Sequence, residues 1–282
     1  MTNFDRQYRL IAGQSGSEGF LVGDGDFPLR INFSVERADL QAQNTARISI
    51  WNLNPSHVAE LDKDDCVVAL QAGYGNITPL IFTGVVTFAT TEADGADRCT
   101  KLELVDTRVE LRDSHVSLSY TGNVNTKTLI QDVAGQMGLA VTFSYNAKFY
   151  DMANGFSYVG PAQGVLDKAC ASSELQWSIQ NGILQVKNMN DVMSKQVYVL
   201  SAETGLIGIP KKVQIADSKD TAKAQHGWDV EYLMNAAINI DDYVKLESEL
   251  VSGFFRVSTL KIEGDNVQGS WTCVARLLEV SE

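Results

Sequence analysis

The sequence predicts a mainly β protein in which a small α/β domain lies between two β-barrels. Segments that alternate apolar and polar residues recur in the first and last parts of the chain, and two segments with helical spacing lie between them. The 282 residues are enough for two or three compact units. We therefore predict a first barrel domain over residues 1–113, the α/β domain over 114–195 and a second barrel domain over 196–282.

The first region is predicted to contain several strands and one short helix. From Pro28 to Arg37 apolar and polar residues alternate, which is typical of a strand with one buried face. Asn54 suits the N-cap of the helix and Pro55 its first turn. Strands with one helical lid favour a closed or nearly closed barrel. The other predicted strands are TARISIWNL, CVVALQAGYG, TPLIFTGVVTFAT and DRCTKLELVD, with TEADGAD as a loop before the last of them.

The middle region is predicted to alternate helices and strands. Its first helix has apolar residues at helical spacing and stops at Gly138, and its second helix starts at Pro161. Asn181-Gly182 suits a type I′ turn between two short alternating runs, which predicts a β-hairpin. The order α, β, α, β, β favours an α/β domain inserted between two β-rich ones. The segments concerned are NTKTLIQDVAGQMG, LAVTFSY, PAQGVLDKACASSE and LQWSIQNGILQVKN.

The last region is again predicted to be β, with strands from Val244, over FFRVSTLKI and over SWTCVARLLEV. The turn EGDNVQG is expected to project at one rim of the barrel, where a partner can touch it. Its candidate contact residues are Glu263, Asp265 and Asn266. No repeat of letters between the first and last regions is strong enough to establish a duplication. The residues predicted to form the barrel core are Val244, Leu246, Phe255, Val257, Leu260 and Trp271.

The net charge of −12 disfavours a reader of nucleic acids, because phosphate backbones repel an acidic surface. The densest basic sites, Lys211-Lys212 and the more separated Lys219 and Lys223, are too sparse for a DNA-binding stripe. The apolar runs are shorter than the roughly 18 residues that a membrane span needs, so we expect no stable membrane insertion. Residues 1–6 lack the pattern of a secretion signal.

No motif predicts catalysis, a metal site or a cofactor. The four cysteines are far apart and lack CxxC spacing, so we expect reduced, buried thiols and no zinc site. GQSGSEG does not match the G-x-S-x-G motif of hydrolases, and the three histidines have no catalytic partner nearby in the sequence. Asp241-Asp242 would share a proton if buried but is more simply a turn before the next strand. The four tryptophans are expected to anchor cores or subunit contacts rather than to bind sugars.

Three groups of segments carry a family resemblance. They are GWDVEYLMN, VKLES and GFFRVSTLKIEGDNVQGSW in the last region, NTARISIWNLNP, VVALQAGYG, IFTGVV and TKLELVD in the first, and NTKTLIQDVAGQMGL in the middle. These groups resemble the C-terminal barrel, the first tube-like domain and the middle domain of the baseplate hub proteins of phage tails, a family that includes the tail hub of contractile-tail phages and is related to the base of type VI secretion spikes. One departure is MNAAI, where the family pattern has proline after MN.

The resemblance implies a structural virion protein that is not an enzyme. It implies a homotrimer in which each chain contributes two tail-tube-like barrels, so that the ring adapts a hexameric tail tube to a trimeric spike and lines the DNA channel. Implied partners are the tail tube protein, the spike, other baseplate proteins, the tape measure and passing DNA that is bound without sequence specificity. The expected location is the tail baseplate of the virion, with assembly in the host cytoplasm.

Three other interpretations remain open at this point. A peptidoglycan hydrolase of the tail tip would need extra length and a catalytic constellation of Glu, Cys or His. A carbohydrate-binding attachment protein would need exposed, coplanar tryptophans. A tail-tube or tail-terminator subunit would normally need one barrel only.

Overall fold

The computed structural model describes residues 5–14, 18–23, 25, 28–39, 44–106, 114–215 and 225–280, which form a mainly β protein as the sequence predicts. In the first region the strands are β1 (Arg6–Gln14), β2 (Phe20–Val22), β3 (Ile31–Ala38), β4 (Thr45–Trp51), β5 (Cys66–Tyr74), β6 (Leu80–Asp94) and β7 (Asp97–Val105). In the middle they are β8 (His115–Tyr120), β9 (Val124–Asn125), β10 (Ala140–Phe143), β11 (Asp151–Met152), β12 (Phe156–Pro161), β13 (Leu175–Gln180) and β14 (Ile183–Asn188). In the last region they are β15 (Val197–Leu200), β16 (Leu206–Ile215), β17 (Gln225–Leu233), β18 (Tyr243–Glu247), β19 (Ser252–Asp265) and β20 (Trp271–Glu279).

The described residues also form three α-helices, α1 (Pro55–Leu61), α2 (Thr126–Gln136) and α3 (Ala162–Ser172), and a single 3-10 turn at Ala202–Thr204. The predicted N-cap of α1 is confirmed, because the Asn54 side chain accepts a hydrogen bond from the backbone N–H of Ser56. Asn125 caps α2 in the same way, by accepting from Lys127. The third helix begins one residue later than predicted, and Pro161 occupies its N-cap position.

Thirteen strands join into one sheet that runs through the first and last regions. Its order is β16-β17-β20-β19-β3-β4-β7-β6-β5-β1-β2, with β18 and β15 attached beside β19. The prediction of two separate closed barrels is not met by the described strands. At the edge of the first region β3 pairs with β19 of the last region instead of with β1, so the pairing continues across the two regions and leaves the sheet open.

Two arrays of six strands within this sheet have the same order of pairing. The first array is β3-β4-β7-β6-β5-β1 and the second is β16-β17-β20-β19-β18-β15. The long strands β6 and β19 correspond, and each has a β-bulge in its pairing with the strand that follows it in the chain, at Val86/Phe88 against β7 and at Val257/Thr259 against β20. Matching the two bulges places Val86–Asp94 on Val257–Asp265. The arrays differ in their last pair, since β1 is antiparallel to β5 whereas β15 is parallel to β18. The duplication is therefore visible in the order of pairing, although the letters of the two arrays differ.

The hydrophobic side chains form two cores. The larger core draws buried residues from both the first and the last regions, between Tyr8 and Leu104 and between Leu200 and Leu277. The smaller core draws its buried residues from the middle region alone, between Val116 and Val186, where α3 packs on β13 and β12, and α2 packs on α3, β10 and β9. The predicted hairpin closes this layer, with Asn181 and Gly182 both at positive φ (50° and 77°) as a type I′ turn requires.

The predicted loop TEADGAD is mostly strand. β6 continues to Asp94 and β7 begins at Asp97, so that only two residues turn the chain. Gly95 makes this turn possible with φ of +63°. The alternation that marks a strand is absent here because the side chains of β6 beyond Val86 are exposed or half-buried on both faces.

Candidate assembly site

The six residues predicted as the core of the last region are all buried in the larger core: Val244, Leu246, Phe255, Val257, Leu260 and Trp271. Trp271 packs edge to face on Phe33 of β3, with 5.4 Å between ring centroids. Gly264 faces both rings, and a Cβ on it would lie 2.3 Å from Cζ of Phe33. Glycine therefore permits the close packing that joins β19 to β3.

Asp265, predicted to project toward a partner, is buried, and this part of the prediction is wrong. Only 5% of the residue is exposed. Its carboxylate accepts hydrogen bonds from the backbone N–H groups of Val267 and Gln268, both at 2.9 Å, and pairs with Nη2 of Arg30 at 3.0 Å. Burial alone would raise the pKa of Asp265, but these donors outweigh it and hold that pKa below its ordinary value. Asp265 thus holds the turn after β19 closed.

The other two candidates of this turn have different surroundings. Asn266 accepts a hydrogen bond from the backbone N–H of Ile31 at 2.8 Å and donates to the carbonyl of Leu29 at 3.1 Å. Glu263 keeps 36% of its side chain exposed and pairs with Lys261 at 2.6 Å. Asn266 therefore ties the turn to β3, while Glu263 is still accessible from solvent.

A buried ionic cluster links the smaller core to the sheet. Lys187 on β14 is 2% exposed, and its Nζ lies 2.8 Å from Oδ1 of Asp241, which is fully buried. Arg256 on β19 lies 3.4 Å from the same oxygen and pairs more closely with Asp39 at the end of β3. Two cations and two carboxylates are therefore enclosed together. Such a group is stable only while all of its members are present.

Burial has opposite effects on the two kinds of charge in this cluster. It raises the pKa of Asp241 to about 6, against the opposing attraction of Lys187 and Arg256. It lowers the pKa of Lys187, which Asp241 partly restores. Oδ2 of Asp241 and Nε of Arg256 are buried and have no hydrogen-bond partner within the described residues. Asp241 lies in the turn that the sequence predicts before β18, and it is buried there.

A neutral network continues the cluster along the same junction. Gln180 at the end of β13 accepts from Arg37 and from Asn44 and donates to the carbonyl of Ala38 at 2.7 Å. Asn44 also donates to Asp106 with its side chain. The hairpin of the middle region is thus bound to the ends of β3, β4 and β7 by polar contacts.

These junction residues were missed because their signal is weak in the sequence. Arg256 and Ser258 occupy positions of β19 flanked by apolar residues, which read as ordinary alternation of the strand. Lys187 ends the alternation of β14 in the same way. A polar residue inside an apolar run is the only indication of burial, and its partners lie far away in the chain, as Asp39 does from Arg256.

The tryptophans do not form a common platform. Trp177 and Trp271 are buried in different cores. Trp51 donates to Asp94 at 2.8 Å and lies under the guanidinium of Arg30, while Trp228 is half-buried against the larger core. This arrangement agrees with core anchoring.

The cysteine thiols and the imidazole of His57 pack against other side chains. All four cysteines are free and buried, as expected. His57 stacks on Phe20 with 4.1 Å between ring centroids. The part of the chain that the structure describes has no cluster of His, Cys, Asp and Glu that could hold a metal ion, and none of its helices is long and apolar enough to cross a membrane.

Comparison with known proteins identifies the family. The family described as Baseplate hub gp41 matches residues 19–257, which is most of the chain. The chain belongs to this family. It is therefore a structural, non-enzymatic component of the phage tail baseplate and is located in the virion. The resemblance to baseplate hubs is confirmed, and the peptidoglycan hydrolase is excluded as the family's role.

Solved structures share the fold over nearly the whole chain. A tail protein from Neisseria meningitidis aligns with a TM-score of 0.62 at 10% identity, covering 98% of this chain and 97% of its own. A 43 kDa tail protein of prophage MuSo2 from Shewanella oneidensis aligns with a TM-score of 0.63 at 9% identity, covering 97% and 96%. A type VI secretion component of Escherichia coli, described as similar to T4 tail proteins gp27 and gp5, aligns with a TM-score of 0.58 at 10% identity, covering 90% and 75%. The curated proteins include no match to this sequence.

Proposed function

We propose that this baseplate hub is a homotrimeric ring that adapts a hexameric tail tube to a trimeric spike and lines the DNA channel. The observation that carries the proposal is the repeat of one strand order in two arrays of a single chain. Two equivalent arrays in each of three chains present six equivalent units on one face, while the ring keeps threefold symmetry for the spike.

The domain division proposed from the sequence, 1–113, 114–195 and 196–282, fits this function. Each six-strand array is proposed to be one tail-tube-like unit. The middle domain, whose core is separate from the larger one, is proposed to lie outside the ring of six units, where its polar junction fixes it to the sheet. The location of the middle domain is part of the proposal and is tested with it.

The proposed partners follow from the position of a hub. They are the tail tube protein on one side, the spike on the other, and neighbouring baseplate proteins and the tape measure. Three chains of net charge −12 each make a strongly acidic ring, which would let DNA pass without sequence-specific binding. Assembly is proposed to take place in the host cytoplasm.

The turn after β19 is proposed as one partner contact. Val267 at its tip is 65% exposed, and Glu263 beside it is partly exposed. Asp265 and Asn266 serve this contact indirectly, because they fix the shape of the turn from inside.

The experiment that tests the proposal is antibody labelling of intact particles, imaged by electron microscopy. Label confined to the distal tip of the tail is expected. Label along the tail would instead indicate a tube subunit, and label on outer fibres would indicate an attachment protein; either result would overturn the hub ring. A particle of the same phage stripped of its baseplate serves as the control and should carry no label.

A further inference from the structure

The two strands of the joint between the arrays, β19 and β3, have counterparts in β6 and β16, and among the described residues these counterparts have no strand paired at the corresponding edge. Within one chain, the part of β19 beyond its bulge pairs with β3, the edge strand of the first array, from Thr259↔Ala38 to Asp265↔Asn32. Among the strands that the structure describes, the corresponding part of β6, Thr87–Asp94, pairs only with β7, because β5 ends its pairing at Val85. The counterpart of β3 is β16, whose described pairing is with β17 alone.

We propose that Thr87–Asp94 of one copy pairs with β16 of a second copy, as β19 pairs with β3 inside the chain. The proposal rests on the proposed homotrimer and names the surface that builds it. An exposed strand edge presents unpaired N–H and C=O groups and is a template for another strand. Because the two edges differ and lie on different arrays, the contact is head to tail. Such a contact forms a ring when its rotation closes, as three copies would in the proposed homotrimer.

The internal joint also fixes the register. The matched bulges of β6 and β19 also align the strands beside them. Gly227 then corresponds to Thr45, and Val213, which pairs with Gly227, corresponds to Glu36, which pairs with Thr45. Since Lys261 lies opposite Glu36 in the internal joint, Thr90, the counterpart of Lys261, is placed opposite Val213 of the second copy. The same register places Glu92 opposite Lys211.

Charge supports this register. Lys211 and Lys212 on β16 are exposed, as is Glu92 on β6. Glu92 pairs with Lys101 of its own chain at 2.6 Å, and Lys211 lies beside Asp229, which pairs with Arg276. Pairing of the two edges would therefore place Glu92 beside Lys211. The charges would then alternate along the row Lys101, Glu92, Lys211, Asp229 and Arg276. Opposite charges directly across a strand pair stabilise it, and like charges destabilise it.

Some features of β16 also have an interpretation that competes with pairing. They are its lysines, Pro210 and the bulge between Ile207 and Lys211. These are features by which natural proteins protect an edge strand from pairing. The bulge and Pro210 lie before Lys211, however, and leave the regular segment from Lys211 to Ile215 available. Protection predicts that this segment faces solvent in the particle, so the two interpretations differ in a measurable contact.

The test is a cysteine pair, Thr90→Cys with Val213→Cys, introduced into the protein in assembled particles. Facing cysteines on neighbouring strands can form a disulfide, and the four native cysteines are buried. On a non-reducing gel we expect most of the monomer band to be replaced by dimer and trimer bands, with nothing larger. The matched control is Thr90→Cys with Gln214→Cys, which shifts the pair by one residue onto opposite faces and should stay monomeric.

Two failures are distinguishable. Particles that contain the variant at the tail tip but give no cross-link would overturn the joint and leave the hub function standing. Particles whose tips lack the chain would overturn the hub function itself and the joint with it. Bands that extend far beyond trimer would contradict a closed ring.

A charge exchange keeps the proposal testable if the cysteine variant does not assemble. Glu92→Lys and Lys211→Glu should each lower the yield of complete particles, and the double variant should restore it. Both single variants should leave the melting temperature of the isolated chain unchanged, because both positions are exposed there. Absence of restoration by the double variant would overturn the contact between these two residues.

Discussion

Replacing Lys187 by methionine should be among the most damaging single substitutions in this protein. The change keeps most of the side-chain volume but removes the cation that lies 2.8 Å from Asp241. Asp241 is fully buried, and the remaining cation, Arg256, is farther from it at 3.4 Å and is shared with Asp39. The substitution therefore leaves a buried carboxylate that is poorly compensated.

The expected loss follows from the behaviour of buried ion pairs. Removing one partner of such a pair costs about 3–5 kcal/mol, because the other charge stays buried. Asp241→Asn in the Lys187→Met background removes that charge, so the double variant should be more stable than the sum of the two single effects predicts. We expect a coupling energy of about 1–3 kcal/mol, in the range measured for residues in contact.

The assay is urea unfolding of the four proteins of the double-mutant cycle, followed by tryptophan fluorescence and by circular dichroism. Coincident transitions establish that a single free energy describes unfolding. Lys101→Met is the matched control, since it breaks the exposed pair with Glu92 at 2.6 Å and should leave the urea midpoint unchanged. A Lys187→Met variant with an unchanged midpoint would refute the account of the buried cluster.

Four further predictions concern the sheet and its turn. Trp271→Ala should lower the free energy of unfolding by about 3–5 kcal/mol, as for other buried aromatic residues, and an unchanged melting temperature would refute its role in the core. Asp265→Lys should destabilise the isolated chain by about 2–4 kcal/mol, because two backbone N–H groups and Arg30 lose their acceptor. Chemical denaturation beside Glu263→Lys as an exposed control measures this. Val267→Asp should lower incorporation of the protein into particles without changing its melting temperature, and normal incorporation would remove the turn from the proposed partner contacts. Burial raises the pKa of Asp242 to about 6. Its contribution to stability is therefore fully present below the unfolded pKa of about 4 and is lost as pH rises through 6, by up to about 3 kcal/mol. Asp242→Asn should flatten the dependence of the melting temperature on pH over that window, and a curve parallel to that of the unchanged protein would contradict the raised pKa of Asp242.

Local structure could be predicted from the sequence wherever one face of an element is buried. β3 shows this, since Ile31, Phe33 and Val35 alternate with polar residues and are all buried. The cap at Asn54 and the turn at Asn181-Gly182 depend on neighbouring residues alone, so both could be predicted. The last four residues of β6, Thr91–Asp94, were predicted as a loop because neither of their faces is buried in one chain.

Contacts between distant segments could not be predicted from the same patterns. The pairing of β3 with β19 joins residues more than 200 positions apart, and it turns two expected barrels into one continuous sheet. Asp265 was misplaced for the same reason, because its acidic, glycine-flanked turn looks solvated until Arg30 is brought against it. The ionic cluster around Asp241 likewise draws its members from β3, β14 and β19.

The number of copies in a particle tests the central claim most directly. Quantitative mass spectrometry of purified particles, with isotope-labelled peptides of this chain and of the tail tube protein as standards, gives that number for each tail. The account predicts three copies at each tail tip, half the number of tube subunits in one hexameric ring. Six copies, or a number that grows with tail length, would contradict a trimeric hub built from chains with two equivalent arrays.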